Sequence, residues 1–359
     1  MNRPGLPPDR CAWIAATAIL CAVVFMSGCA GFSDWRPWGP SSPSTRSDRF
    51  VLPSEGTDVV GAVQIAIARE EDTLLDIARR YGLGHEEIVA ANPGLDPWLP
   101  GARSQVVLPT QFVLPATSRK GLVLNLASMR LFYYPAPAPG EPPVVITHPI
   151  GIGRQGWQTP QGTARITEKL VNPTWTVPAS VRREHAEMGD PLPPRVPAGP
   201  DNPLGDFAMR LSLPSYLIHG TNKPYGVGMR ISHGCVRLYP EDIARLFPEV
   251  PVGTPVHIIN QPYMAGWRDG RLYLEAHEPL AEEARRWGDS LAPMEAAVKR
   301  SAAGLPDAVD WDKARQVARE ARGIPLPISP GSPELDEVLA RARRVPSIPR
   351  WARADGREG

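Results

Sequence analysis

Apolar and polar residues between positions 61 and 110 alternate with the periods of a small unit built as strand, helix, helix and strand. The first run has the period of two that is typical of a half-buried strand, and the next two carry apolar residues at helical spacing. Asp72-Thr73 can cap the first helix, and Gly82 can end it. The predicted elements are a strand at Val63–Ile67, a helix between Thr73 and Gly82, a helix at His85–Ala91 and a strand at Val106–Leu108.

Residues 120–260 are predicted to form a mainly β domain, because short runs of β-branched and aromatic residues are separated by turn residues. The predicted strands are Leu122–Leu126, Arg130–Tyr134, Val144–Ile150, Thr163–Val171 and Pro255–Ile259, with a helix at Pro240–Phe247. Residues 180–214 are rich in Pro and Gly and contain Arg182–His185. They are predicted to be a loop that could cover a substrate groove.

The last hundred residues have a different character. Residues 261–278 predict a hairpin with an Asp269-Gly270 turn. Residues 279–359 form a charged tail in which helical patches alternate with Pro-rich pieces. The pattern predicts no function for this tail.

The N-terminus has the pattern of an export signal. Residues 12–26 are apolar and uncharged, Arg3 and Arg10 precede them, and the stretch is too short for a comfortable membrane span. The small residues before Cys29 resemble a bacterial lipoprotein signal, which implies a signal peptide over 1–28, lipidation of Cys29 and a flexible tether over 29–60. Ala30 resembles the outer-membrane sorting pattern, so we expect a periplasmic protein anchored by lipid in the outer membrane. An ordinary signal peptide is the alternative.

Charge and cysteine content narrow the possible functions. The chain has 39 basic and 38 acidic residues, so its net charge of +1 gives no reason to expect a nucleic-acid partner. Cys11 and Cys21 lie in the segment that would be removed, and Cys29 would be acylated. Cys235 is then the remaining thiol, and it is either an inert core residue or a nucleophile.

Residues 216–238 contain the groups that would make Cys235 a nucleophile. A free thiol is mostly protonated at neutral pH, and a neighbouring imidazole can remove that proton. His233 would share a face with Cys235 in an extended strand, whereas His219 needs the fold to bring it close. Spacing alone therefore leaves open which histidine is the base.

Other residues of the same segment have matching chemistry. Amides at a Gly234-Cys235 turn can donate to the oxyanion of a tetrahedral intermediate. Arg237 can pair with a substrate carboxylate. A zinc site formed by His219, His233 and Cys235 is an alternative, but the sequence supplies no fourth ligand at a metal-like spacing. We therefore predict neither a metal nor a cofactor.

His219-Gly220-Thr221 and the run Ser232–Leu238 resemble the signature of the L,D-transpeptidases, which have a YkuD-type catalytic domain. The resemblance covers about residues 120–260 and implies a β-sandwich or barrel. It implies that Cys235 is the nucleophile and that His219 accepts and donates the proton, with the Gly220 carbonyl orienting its ring.

The resemblance also implies supporting roles. His233 and the backbone of Gly234 and Cys235 would serve the oxyanion site, and Ser232 would help to hold the geometry. Arg237 would bind a substrate carboxylate, although many relatives carry Asn at this position.

The family reaction implied by this resemblance has two steps. The cysteine attacks the diaminopimelate carbonyl of a peptidoglycan tetrapeptide stem and expels D-alanine, and an amine then resolves the thioester. The amine is a diaminopimelate side chain, giving a 3→3 cross-link, or the terminal lysine of an outer-membrane lipoprotein. Water as acceptor would make the protein a carboxypeptidase, and a degenerate site would leave a wall-binding lipoprotein without activity.

The unit at residues 61–110 carries a second resemblance. Glu71–Leu74, Ile77–Gly82 and Ala90–Pro93 are similar to the lysin motif, a peptidoglycan-binding module. This implies that glycan strands are a partner and that the module would hold the enzyme near its substrate.

Overall fold

A computed structural model of the protein describes residues 48–52 and 56–346. The predicted signal peptide over residues 1–28, the lipidation site Cys29 and most of the predicted tether lie outside the described residues. No helix among the described residues is long and apolar enough to cross a membrane.

The strands, in chain order, are β1 (Arg49–Val51), β2 (Val59–Gly61), β3 (Gln64–Ile67), β4 (Gln105–Leu108), β5 (Gln111–Val113), β6 (Gly121–Asn125), β7 (Arg130–Tyr134), β8 (Val144–Pro149), β9 (Ile152–Gly153), β10 (Gly162–Val171), β11 (Trp175–Thr176), β12 (Arg195–Val196), β13 (Phe207–Leu211), β14 (Leu217–His219), β15 (Arg230–Ser232), β16 (Val236–Arg237), β17 (Pro255–Ile259), β18 (Tyr263–Arg268), β19 (Arg271–Ala276), β20 (Leu326–Pro327) and β21 (Arg343–Val345).

The helices are α1 (Leu74–Tyr81), α2 (His85–Ala91), α3 (Ala179–Glu187), α4 (Pro240–Glu249), α5 (Ala281–Trp287), α6 (Ala292–Ala302), α7 (Trp311–Glu320) and α8 (Leu335–Arg341). Short 3-10 turns lie at Pro224–Gly226 and Pro306–Ala308.

The main sheet has nine strands in the order β1-β8-β7-β6-β17-β10-β13-β14-β16. The pairs β6–β17 and β14–β16 are parallel, and the other neighbours are antiparallel. The predicted hairpin of β6 and β7 is present, with Leu124 opposite Leu131. The expectation of a mainly β catalytic region is therefore confirmed.

Strands β6 and β7 are buried on both faces, which explains their continuous apolar runs. Leu122 belongs to a core that α4 also enters. Its neighbour Val123, with Phe132, belongs to a core on the opposite face that includes Leu74 and Ile77 of α1. The sheet is thus covered by α4 on one side and by the strand–helix–helix–strand unit on the other.

That unit, which we call the βααβ module (Gln64–Leu108), has the predicted element order, with β3 and β4 antiparallel. Thr73 caps α1: its hydroxyl oxygen accepts from the Asp76 amide at 3.1 Å, and the Asp76 carboxylate accepts from the Thr73 amide at 3.1 Å. Gly82 ends the helix at φ 68°, a conformation that favours glycine. Local capping chemistry thus sets the boundaries of this helix.

A buried ion pair joins the module to the main sheet. Arg130 of β7 is 1% exposed, and its guanidinium lies 2.6 and 2.8 Å from the two carboxylate oxygens of Glu87 on α2. On the other side of the module, Arg79 makes two 2.9 Å bonds to Glu241 of α4. Module and sheet are therefore fixed relative to each other by charge pairs as well as by a shared core.

The predicted hairpin at 261–278 is formed by β18 and β19, with Asp269 and Gly270 both at positive φ as a tight hairpin turn requires. The tail, predicted as helical and Pro-rich, is integrated into the fold. Strand β20 extends the hairpin, and β21 pairs in parallel with β3 of the module. Helices α6 and α7 share a core with the hairpin, to which Val298, Val317 and Leu274 belong.

Two predictions of irregular structure are wrong. Residues 180–214, predicted to be a loop, contain most of α3 together with β12 and β13. The predicted tether contains β1, which pairs with β8, and β2, which pairs with β5. Strands of three residues have no readable period of their own, because distant partners stabilise them.

Candidate active site

His219 ends β14, and Cys235 directly precedes the neighbouring strand β16 at one edge of the main sheet. In the parallel pair β14–β16, Ile218 is opposite Val236 and His219 is opposite Arg237. Opposite residues point to the same side of a sheet, and residues two apart along a strand do so as well. Cys235, two residues before Arg237, is therefore placed on the His219 side, although the two are far apart along the chain.

The His219 ring is held by a carbonyl. Its side chain is 3% exposed, and Nδ1 lies 2.6 Å from the carbonyl oxygen of Gly220. Because a carbonyl only accepts, Nδ1 must carry the proton, and Nε2 is left as an acceptor. Burial lowers the pKa of His219 to about 3; the Arg237 charge acts in the same direction, and the Gly220 and Leu204 carbonyls oppose it. The ring is thus a neutral base at physiological pH.

Cys235 is partly exposed, which argues against a sealed core residue. Its Sγ donates to the Ser215 carbonyl oxygen at 3.6 Å. Burial raises the pKa of the thiol, and the Leu217 backbone and the Arg237 charge offset part of that rise. Sulfur and imidazole are therefore both neutral at rest, and proton transfer must accompany attack.

A turn that requires glycine precedes the thiol. Gly234 has φ 103°, and a Cβ there would lie 2.9 Å from Cε1 of Tyr216. The Gly234 amide donates to Ser232 Oγ at 3.2 Å, and Ser232 Oγ donates to the Cys235 carbonyl at 2.5 Å. Thr159 Oγ1 donates to the Gly234 carbonyl at 2.8 Å. Since the Gly234 amide already has an acceptor, the oxyanion role expected for it requires Ser232 to release it.

His233 does not share a hydrogen bond with Cys235; its partner is a glutamate on α3. Its Nε2 lies 2.8 Å from Oε2 of Glu184, which also forms an ion pair with Arg154. Trp157 packs edge-on against the ring at a centroid distance of 4.9 Å. Sequence reasoning missed Glu184 as a partner, although the helix-forming residues of α3 that follow Pro178 carried a signal for the helix.

Arg237 is a half-buried cation beside both reactive groups. Its Nε is buried and has no hydrogen-bond partner within the described part of the chain. Burial lowers the pKa of Arg237, and the neighbouring Cys235 opposes this. A half-buried guanidinium whose Nε–H has no acceptor is suited to bind an anionic group of a substrate at this place.

The loops around the site are held by both the module and the tail. In the loop between His219 and β15, the carbonyls of Val227 and Gly228 each accept from an amide at the start of α2, at 3.1 Å. From the tail, Glu282 of α5 makes bonds of 2.8 and 3.1 Å to Arg230 and accepts from Gln158 at 3.0 Å. Three parts of the chain therefore shape one site.

The zinc alternative has no geometric support. The side chains of His219, His233 and Cys235 do not converge into a cluster in which each offers a ligand atom; within the described ranges, Asp48, His148 and Asp242 do so. In that cluster the Arg245 guanidinium already lies 2.8 Å from Asp242 and 3.1 Å from Asp48. The Arg245 guanidinium thus offsets part of the negative charge of the two carboxylates.

Comparison with known proteins bears on the family to which the chain belongs. Residues 119–258 match the family model of the L,D-transpeptidase catalytic domain, YkuD. The probable L,D-transpeptidase ErfK/SrfK of Salmonella typhimurium is 42% identical over 291 residues, which are 80% of this chain and 93% of that protein. The probable L,D-transpeptidase YbiS of Escherichia coli is 40% identical over 283 residues, covering 77% and 90%.

Among solved structures, the catalytic domain of the Enterococcus faecium L,D-transpeptidase is 22% identical; the match covers 40% of this chain and all of that chain, with a TM-score of 0.29. The family assignment therefore depends on the sequence relatives, which span most of the chain. By this measure, the chain belongs to the L,D-transpeptidase family.

Proposed function

We propose that the protein is a peptidoglycan L,D-transpeptidase in which Cys235 is the nucleophile and His219 transfers the proton. The observation that carries this proposal is the parallel pairing of β14 with β16, which places both residues on one side of the sheet. The bond from His219 Nδ1 to the Gly220 carbonyl supports the role of Nε2 as the base. A backbone carbonyl thus does what a carboxylate does in a side-chain triad.

In the first step, His219 Nε2 takes the thiol proton while the sulfur bonds to the diaminopimelate carbonyl carbon of a tetrapeptide stem. The bond to D-alanine then breaks, and the imidazolium returns its proton to the departing amine, leaving a thioester. In the second step, an amine attacks the thioester, His219 takes a proton from it, and the departing thiolate takes that proton back from the imidazolium, which restores the neutral pair. The neutral resting pair fits this cycle, since each half begins with an uncharged imidazole.

Arg237 would bind a carboxylate of the stem peptide. Its unpartnered Nε is supporting evidence, because a buried donor without an acceptor is costly and a substrate oxygen would satisfy it. The same positive charge would favour the thiolate over the thiol, as its effect on the Cys235 pKa indicates. One residue would thereby serve both binding and activation.

The βααβ module would bind glycan strands as a lysin motif, and export with lipidation at Cys29 would place the enzyme in the periplasm. Support for the module comes from its resemblance to the motif and from its element order. Binding to the polymer would raise the local concentration of stem peptides. The acceptor would be a second diaminopimelate amine or the terminal lysine of an outer-membrane lipoprotein.

Product analysis with purified tetrapeptide muropeptides tests the proposal. The wild type should release D-alanine and form cross-linked dimers, and a lysine-terminated peptide added to the reaction should be joined if lipoprotein is the acceptor. Cys235→Ala and His219→Gln should lose activity while retaining the wild-type circular dichroism spectrum. His257→Gln, which changes a histidine of β17, is the matched control and should remain active. Unchanged product formation by Cys235→Ala would contradict the proposal.

A further inference from the structure

Helix α3 brings an acidic side chain to the wall of the candidate site. Glu184 Oε2 lies 2.8 Å from His233 Nε2, and Glu184 Oε1 forms an ion pair with Arg154. Val181 is the one buried residue of this helix, so apolar packing contributes little to its position. The contacts of Glu184 are therefore the main polar connection between α3 and the segment that carries the nucleophile.

Glu184 determines the orientation of the His233 ring. Arg154 Nη2 lies 3.4 Å from His233 Nε2, and a guanidinium cannot accept a hydrogen bond. The carboxylate accepts from both groups and so makes their close approach favourable. The pKa of Glu184 is lowered by the Arg154 hydrogen bond and then by His233, so the carboxylate is ionised. With Nε2 bound to Glu184 and Trp157 against the ring, His233 has one preferred orientation.

That orientation matters because of where His233 lies in the chain. It directly precedes Gly234, whose positive φ sets the turn that leads into Cys235. Misplacement of reacting groups by about 1 Å can cost about 100-fold in rate. Fixing the side chain at position 233 therefore adds a restraint on the turn beside the hydrogen bonds of Ser232 and Thr159.

We propose that Glu184 is a positioning residue for the reaction of Cys235 and that it acts through His233. The inference rests on the proposed function, since it assumes that Cys235 is the nucleophile. Glu184 would not touch the substrate carbonyl; it would hold the turn in the geometry that the transition state needs. Its removal should slow acylation without weakening the initial binding of the acylating compound.

The experiment follows acylation of Cys235 by a carbapenem, using the intact protein mass over a range of carbapenem concentrations. Glu184→Ala should lower the maximal acylation rate about tenfold, because a displacement of less than about 1 Å costs less than the roughly 100-fold of a full ångström, and should leave the half-saturating concentration unchanged. Glu184→Gln keeps an acceptor oxygen but loses the charge, so its maximal acylation rate should lie between those of Glu184→Ala and the wild type. Glu187→Gln changes an exposed acid on the same helix and should match the wild type.

An NMR titration of His233 tests the contact between Glu184 and His233 independently of the reaction, and the split between maximal rate and half-saturating concentration tests the positioning role. Burial lowers the pKa of His233 below its usual value; the Glu184 carboxylate opposes this, and Arg154 and His185 act in the same direction as burial. The pKa should therefore fall in Glu184→Gln and stay unchanged in Glu187→Gln. A pKa that does not move in Glu184→Gln would overturn the inference.

Two rate outcomes would also overturn it: a maximal rate in Glu184→Gln equal to that of the wild type, or a change confined to the half-saturating concentration. The second would mean that α3 covers the groove without positioning the turn. If Glu184→Ala does not fold, the isosteric Glu184→Gln decides alone. A wild-type protein that forms no adduct would instead contradict the proposed function, and the titration would still test the contact between Glu184 and His233.

Discussion

At the scale of single residues, the protonation state of the reactive pair has consequences beyond catalysis. His219 is buried as a neutral ring, and the thiol of Cys235 is held protonated by its surroundings. Activation therefore has to come from the approach of the substrate, which excludes water and supplies the developing charge that Arg237 can stabilise. Keeping the His219 imidazole neutral also makes the free energy of unfolding depend on pH.

His219→Gln should reduce the loss of stability at acid pH. The pKa of His219 is lowered to about 3 in the folded protein, below the value of about 6.5 that is usual for an unfolded chain. Between these two pH values the unfolded state binds a proton that the folded state does not bind. The stability that the neutral His219 ring contributes is therefore complete above about pH 6.5 and is lost as pH falls. Lowering the pH from 7 to 5 should cost the wild type about 2 kcal/mol through this residue. Urea unfolding at both pH values measures the difference, and an equal loss in the variant would contradict the assignment.

Gly234→Ala should impair the site more than a glycine change elsewhere. A left-handed conformation costs a residue with a side chain about 1 to 3 kcal/mol. At Gly234 the added methyl group would also lie 2.9 Å from the Tyr216 ring, so the turn has to shift. Gly253→Ala is the control, because its φ of 92° is similar and nothing lies within 4 Å. Both variants should lose stability in thermal unfolding, but only Gly234→Ala should lose carbapenem acylation; equal acylation in the two would show that the turn before Cys235 does not require glycine.

The sequence allowed prediction of Cys235 and of two candidate bases, but residue types alone left the choice of base open. The parallel pairing of β14 with β16 supplies the missing information, because it places His219 and Cys235 on one side. Glu184 was visible as part of a polar segment, yet its contact with His233 joins positions that are 49 residues apart. No local pattern specifies a contact of that kind.

At the scale of elements, local signals account for what was predictable. Helices α1 and α2 and strand β17 match their predictions to within a residue, because caps and terminators lie in the sequence itself. Helix α3 lacks a side-chain cap and buries Val181 alone, so it has no apolar period to detect. Strands β1 and β21 are three residues long and depend on pairing with β8 and β3.

Glu282→Gln should show that the tail contributes to the site. Glu282 joins Arg230 to Gln158, which follows the Trp157 that packs on His233. The pKa of Glu282 is lowered to about 2 by Arg230 first and by Gln158, so its charge is present at neutral pH. Loss of a partly exposed pair should cost at most about 1 kcal/mol of stability.

The effect of Glu282→Gln on acylation should exceed what that small loss of stability would cause, because the loops on both sides of the thiol lose their common partner. A fall of about threefold in the maximal rate is expected. Glu278→Gln, an exposed acid just before α5, should behave as the wild type. Identical rates in Glu282→Gln and Glu278→Gln would show that the tail leaves the site unaffected.

At the scale of the whole molecule, the module, the main sheet, the hairpin and the tail follow one another along the chain but pack into shared hydrophobic cores. One core combines Leu74 of the module with Val123 of the main sheet. Another combines Val107 of the module with Leu274 of the hairpin and Val298 of the tail. Because no stretch can separate without exposing apolar surface to water, cooperative unfolding of module, sheet and tail follows.

Glu87→Gln tests that cooperativity at the contact between module and sheet. The change leaves Arg130 buried at 1% exposure without a negative partner, and breaking such a pair usually costs about 3 to 5 kcal/mol. Glu86→Gln, on the adjacent exposed position of α2, is the control and should cost little. Hydrogen exchange followed by mass spectrometry should show β3, β6 and β7 losing protection together in Glu87→Gln. Loss of protection confined to the module would mean that the module unfolds independently. Because amides of α2 hold the loop that follows His219, such unfolding would release one side of the site.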